Sequence, residues 1–298
     1  MTVQTFGGLL MSVALLSGCG AVSEQANTEQ EDTTVLSSYT EASEQQATLY
    51  SAFYGLDDAI PFIASYRICG EFGHKDGMPV IFSKEIDLKT LQAGDFLVHL
   101  SDGSQVRPGC VTPAPANDSG ELRTILTIGE FGSVDNQPHT VEITGNLISL
   151  DGQTNYRRSL VGVTALEDGP TLVRAEIVPP AQWVLDQEPS ALPFGGGSGC
   201  PLGTQQIVRA VWSGGVTKPG GDEIDDLERA AYRVRVVGEA GTQVEIEPFA
   251  IADLGDGDNN HKLCLDVTDQ AIHVAFPEGL MTDPRDDPNP ATGVMVSP

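Results

Sequence analysis

Basic residues are scarce in this chain. Lys and Arg total 16 against 42 Asp and Glu, a formal net charge of −26 over 298 residues. A surface this acidic repels phosphate backbones, which excludes nucleic acid as a partner, and it attracts cations. Metal and redox spacings are missing too. No Cys-x-x-Cys occurs, and no two of the five His lie at i, i+2 or i, i+4, so zinc and thioredoxin-like readings have no footing. There is no His-Glu-x-x-His, no P-loop and no dinucleotide fingerprint. The run Gly195-Gly-Gly-Ser-Gly199 misses the spacing of a nucleophile elbow. Long helical patterns are also absent. Gly (33) and Pro (19) are plentiful, a composition suited to short strands joined by tight turns.

The apolar run Phe6 to Leu16 is too short to span a bilayer as a mature helix. It reads as the core of a secretory signal, residues 1–18. It ends in Leu16-Ser17-Gly18-Cys19. That stretch resembles the lipobox of bacterial lipoproteins, which implies lipidation of Cys19 and a membrane anchor. Gly20 in place of Asp implies, by the same resemblance, the outer membrane where a cell has two. Removing Cys19 leaves Cys69, Cys110, Cys200 and Cys264. An even count in an exported chain suggests two disulfides with three possible pairings. Cys69–Cys110 and Cys200–Cys264 are preferred because each pair then falls within one proposed domain.

Residues 19–37 are polar and acidic and read as a flexible tether. Residues 38–56 read as one short helix, with Ser38 and Glu41 as a capping box and Gly55 as its stop. From Ile60 the pattern changes to period two. Pro79-Val-Ile-Phe-Ser, Phe96-Leu-Val-His-Leu, Thr124-Ile-Leu-Thr-Ile, Thr140-Val-Glu-Ile-Thr and Leu160-Val-Gly-Val-Thr are strands separated by turn clusters. A Pro/Gly-rich stretch, 181–199, reads as a linker. Strands resume at Gln206-Ile-Val-Arg-Ala-Val-Trp, Tyr232-Arg-Val-Arg-Val-Val, Gln243-Val-Glu-Ile-Glu, Lys262-Leu-Cys-Leu and Ile272-His-Val-Ala-Phe.

The two halves look alike. Val80-Ile-Phe-Ser matches Ala210-Val-Trp-Ser, and Phe96-Leu-Val matches Tyr232-Arg-Val. The loop Asn117-Asp-Ser-Gly-Glu matches Asp256-Gly-Asp-Asn-Asn, and Thr140-Val-Glu-Ile matches Ile272-His-Val-Ala. Internal duplication implies two related modules, 57–180 and 200–298. The stretch Met78 to Val98, with Phe-Ser, Asp-x-x-Thr-Leu and Phe-x-Val, is similar to the opening of bacterial Ig-like domains of secreted surface proteins; His139-Thr-Val matches their later Tyr-x-Val strand. The resemblance implies two Ig-like β-sandwich domains, mostly spacers and binding modules, and brings no catalytic set.

One stretch concentrates chemistry: Ala252-Asp-Leu-Gly-Asp-Gly-Asp-Asn-Asn-His-Lys-Leu-Cys-Leu-Asp266. Asp253, Asp256, Asp258 and Asn260 are hard oxygen donors, and Gly255 and Gly257 let the backbone curl, so calcium is the candidate ion. It is not an EF-hand, since counting from Asp256 the sixth residue is His261 and the twelfth Val267. The competing expectation is a polar hairpin connection whose side chains bond their own backbone. The Asn117–Glu121 loop reads as ordinary turn chemistry. The acidic stretches Asp222–Glu228 and Asp283–Pro288 would strengthen the calcium reading if they folded beside Asp256.

The sequence therefore predicts an all-β, lipid-anchored envelope protein, non-enzymatic, acting as a spacer or binding an envelope protein or glycan, with no cofactor except a possible Ca2+. The rival is an envelope hydrolase of polysaccharide or peptidoglycan using Asp256 or Asp258. That chemistry needs one carboxyl with a raised pKa, and a loop this polar is expected to keep both ionised.

Overall fold

The computed structural model describes residues 32–44, 47–60, 66, 69–70, 75–190 and 196–298. The signal segment, Cys19 and the tether up to residue 31 lie outside them. No helix among the described residues is long and apolar enough to cross a membrane.

The chain folds as two β-sandwiches with the same topology. The first holds β1 (Leu49–Phe53), β2 (Leu56–Ile60), β3 (Lys75–Phe82), β4 (Phe96–Leu100), β5 (Gln105–Val106), β6 (Cys110–Thr112), β7 (Thr124–Gly129), β8 (Pro138–Ile143) and β9 (Leu160–Thr164). The second holds β10 (Leu172–Ile177), β11 (Gln206–Trp212), β12 (Arg233–Val237), β13 (Gln243–Ile246), β14 (Ala250–Ala252), β15 (Asn260–Leu265), β16 (Gln270–Phe276) and β17 (Thr292–Ser297). The strand paths are β5-β4-β8-β9-β1-β3-β7-β6 and β13-β12-β16-β17-β10-β11-β15-β14. Each strand of the second path is the counterpart of one in the first. In each module the first strand pairs antiparallel on one side and parallel on the other, β1 with β3 and β9, β10 with β11 and β17. A shared first strand joining two antiparallel layers is an Ig-like arrangement.

The matched segments occupy matched places. Phe82 ends β3 and packs edge-on to Phe96 at 6.3 Å and Tyr156 at 4.8 Å. Its counterpart Trp212 packs edge-on to Phe276 at 5.4 Å, with Tyr232 4.7 Å from the same ring. Each ring cluster sits at the centre of one apolar core, where aromatic pairs contribute beyond their buried area. Both expected disulfides are formed, Cys69–Cys110 and Cys200–Cys264.

Three expectations are corrected. The helix over 38–56 does not form. Residues Leu36–Ser38 make a single 3-10 turn and Leu49–Phe53 is strand β1. Leu49, Ser51, Ala52 and Phe53 are buried, Leu49 and Ala52 in the core of the first module, so tertiary packing overrides a capping-box signal of about 1 kcal/mol. The described end of the expected tether, residues 32–37, is tied to the first module, because Asp32 accepts hydrogen bonds from the Asn146 backbone N–H at 2.8 Å and from Gln92 Nε2 at 3.2 Å. The module boundary also moves. Residues 172–177 open the second module rather than close the first, since β10 is the counterpart of β1. Residues 181–199 are therefore no linker between domains. The described residues 181–190 and 196–199 lie between β10 and β11, pinned by Ser198 N–H to Leu254 O at 3.1 Å and Asp253 N–H to Ser198 O at 2.8 Å. The modules are joined instead by the short connection 165–171.

Candidate functional site

The strands β3 and β11 carry apolar residues on both faces, and nearly every residue in each is buried. One face of each fills its own core; on the other, β11 packs Ile207 against Val178, Cys200, Ala252 and Cys264 of its own module and sends Arg209 to the first, while β3 sets Gly77 beneath Leu56 and Ile60 of β2. Phe53 of the first module lies so close to Gly214 of the second that a Cβ there would sit 2.6 Å from its ring. Beside this contact the two modules exchange charges.

Arg209 projects from β11, is 1% exposed, and crosses to the first module. Its guanidinium donates to the carbonyls of Gly120 (2.8 Å) and Ser119 (2.7 Å) and to Glu176 (3.1 Å), and lies 3.5 Å from Glu121. Gly120 is needed there: it has φ +90° and a Cβ would fall 2.4 Å from the Arg209 Nη1. Arg123, beside β7, returns the contact to Glu176 with both carboxylate oxygens engaged at 3.1 and 3.0 Å. Burial alone would raise the Glu176 carboxyl, but Arg123, Arg174 and Arg209 together hold it below its ordinary value.

The acidic stretch lies against this junction. It is not an exposed connection: Asp253, Asp256, Asp258, Asn259, Asn260 and His261 are all buried. The reason lies in the chain's path. The stretch joins β14 to β15, is covered by residues 196–198, and faces the first-module loop that ends in Glu121. Oxygen atoms of Asp118, Glu121 and Asp253 lie within 4.8 Å of one another. The Asn117–Glu121 loop is thus more than turn chemistry, because it brings a fully buried carboxylate to the same place. Lys262 Nζ bridges Asp253 Oδ1 (2.7 Å) and Glu121 Oε1 (3.2 Å).

Burial changes the expected electrostatics. It pushes Asp256 up to about 6, opposed by a backbone hydrogen bond and reinforced by the charges of Glu121 and Asp118. It also lifts Asp253 and Asp258 well above the usual carboxylate range, with Glu121 the largest neighbouring charge in both cases. The expectation that these carboxyls are simply ionised is therefore wrong, since desolvation penalises the charged form. Asp258 is held by the Asn260 backbone N–H (2.7 Å) and Asn260 Nδ2 (2.8 Å), one bond to each oxygen.

A cavity of about 110 Å3 opens beside these residues, lined by Asp253, Asp256, Asp258, Asn260, His261 and Glu223 among others. Glu223 arrives from the 222–228 stretch and accepts the Gly255 N–H at 3.0 Å, while Pro284 of the 283–288 turn closes another wall. His261 is buried and neutral, pushed down to about 3 by desolvation. Trp212 Nε1 donates to the Tyr232 hydroxyl (2.8 Å), which shares a hydrogen bond with His261 Nδ1 (2.7 Å). Sequence reasoning found Asp253, Asp256, Asp258 and Asn260 and missed Glu121, Asp118 and Arg209. Arg209 had a signal: a lone charge inside the apolar run Gln206–Trp212.

The fold defines a two-module, Ig-like all-β protein with a buried ionic junction. No family model matches the chain, and no curated protein does. Among solved structures, the N-terminal part of the bacterial S-layer protein SbsC aligns at 14% identity and a TM-score of 0.27, over 74% of this chain and 44% of that one. The chain thus spans less than half the length of that protein.

Proposed function

We propose that this protein is a lipid-anchored, non-enzymatic spacer of the cell envelope, tethered at Cys19, whose two sandwiches act as one rigid arm presenting a surface to an envelope protein or glycan. The observation that carries the reading is the junction. Arg209 reaches across from one module to two carbonyls and a carboxylate of the other. A chain built only to string domains together has no need of buried charges between them, and inter-domain contacts are otherwise loose by default. The lipobox and the even cysteine count support export, and the acidic surface suits a protein held off from anionic headgroups.

The hydrolase reading gains an acid near pH 6 in Asp256. Against it, both oxygens of Asp258 are occupied. The two cavities that Asp258 lines, of about 110 and 220 Å3, each fall below the roughly 300 Å3 at which ligand pockets begin.

The test is bacterial expression with a palmitate analogue, followed by fractionation. The wild type is expected to carry the label on the Cys19 peptide and to sediment with membranes. Cys19→Ala is expected to lose both while staying folded and disulfide-bonded. Unlabelled wild type in the cytosol would contradict the proposal.

A further inference from the structure

We propose that the two modules share one calcium ion, held between Asp118 and Glu121 of the first sandwich and Asp253 and Asp256 of the second, with Asn260 as a neutral donor. This deepens the spacer reading, because the ion then clasps the junction rather than stiffening one loop. The oxygens of Asp118, Glu121 and Asp253 fall within 4.8 Å of one another. That is the spread of ligands around one ion at about 2.4 Å.

Acidity alone does not make a site, and two further observations point to a ligand. Glu121 is fully buried; Lys262 and Arg209 lie 3.2 and 3.5 Å from its Oε1, but its Oε2 has no partner, and Asp253 Oδ2 has none either. Buried carboxylate oxygens left in that state are costly unless a further cation completes them. Asn260 is also fully buried, lines the cavity with Asp253, Asp256 and Asp258, and has an unpartnered Oδ1. An amide oxygen owes nothing to the acidic composition of the chain, and it is a usual calcium ligand.

The charge balance agrees. Against the carboxyls of Asp118, Glu121, Asp253, Asp256 and Asp258, Lys262 pairs with Glu121 and Asp253, while Arg209 is divided between Glu121 and Glu176. The covering loop is shaped for close approach. A Cβ on Gly196 would stand 3.0 Å from Asp118 Oδ1, and one on Gly197 would stand 2.8 Å from Asp256 Oδ2. Glycine there lets the backbone close over the oxygens. Donors drawn from two separate loops suit calcium, which tolerates irregular coordination, better than magnesium, which demands near-ideal octahedral geometry.

The full-length protein, purified in detergent and stripped with EDTA, is titrated with CaCl2 and, in parallel, MgCl2. Calorimetric titration should give one calcium per chain. Saturating calcium should raise the melting temperature by on the order of 5 °C, with less from magnesium. Glu121→Gln and Asp118→Asn should each weaken calcium binding at least about tenfold by removing a charged ligand. Asp118 is only partly buried, so its variant keeps the test valid if Glu121→Gln fails to fold. A wild type that shows no shift at millimolar calcium overturns the proposal. So does an Asp118→Asn protein that binds as tightly as wild type, because the second-module loop would then hold the ion alone. The lipid label on Cys19 is read independently, so loss of the calcium site leaves the spacer reading standing.

Discussion

Arg209 and Glu121 are 1% and 0% exposed, and charges so deeply buried persist only where each has a partner. Asp95 poses the opposite case within the first module. It caps the turn before β4, accepts the Gln92 N–H at 2.9 Å through Oδ2, and leaves Oδ1 unpartnered. Burial pushes its carboxyl up to about 7, with the charge of Asp32 adding to the shift and Arg107 opposing it. A carboxyl raised in the folded state contributes stability below its ordinary value, and that contribution is lost as pH rises through the folded value. Relative to Asp95→Asn, the wild type should therefore lose stability between about pH 4 and pH 7, at no more than about 1.4 kcal/mol per unit. Urea denaturation of both proteins across that range checks it; parallel curves would contradict the assignment. The site was half legible at this scale. Asp253, Asp256, Asp258 and Asn260 stand out because four oxygen donors crowd around two glycines. Glu121 does not, because a single Glu after Asp-Ser-Gly looks like any turn, and its burial is decided by a module 130 or so residues away.

Among the elements, β1 matters most for its size. Leu49, Ser51 and Ala52 pair with β3 and Ala52 and Phe53 with β9, and Ala52, Phe53 and the following Tyr54 are buried. A chain beginning at Ala47 should keep both sandwiches. One beginning at Leu56 should lose the first, seen as a drop in near-ultraviolet circular dichroism and protease resistance. Equal resistance of the two truncations would restore the reading of residues 38–56 as a short helix. The longer strands were legible, because β4, β8, β11 and β16 alternate or run apolar between clear turns. The short edge strands β5, β6 and β14 have two or three residues each, too few for a period to register. The β10 strand was hidden because Leu172-Val-Arg-Ala-Glu-Ile places Arg174 and Glu176 in the junction, where a polar residue in a strand normally signals solvent.

For the whole molecule, the duplication visible in the residues predicts the topology, and the structure reproduces it over eight strands of each module, with β2 an addition of the first. What repetition could not show is that the copies meet through equivalent loops, Asn117–Glu121 against Asp253–Asn260, because nothing in either copy encodes the other's position. If that meeting fuses the modules, they should unfold together. Differential scanning calorimetry of the oxidised full-length protein is the most direct experiment. A single transition, with calorimetric and van't Hoff enthalpies equal, is the expected result. Two separable transitions, one sandwich melting while the other stays folded, would contradict it.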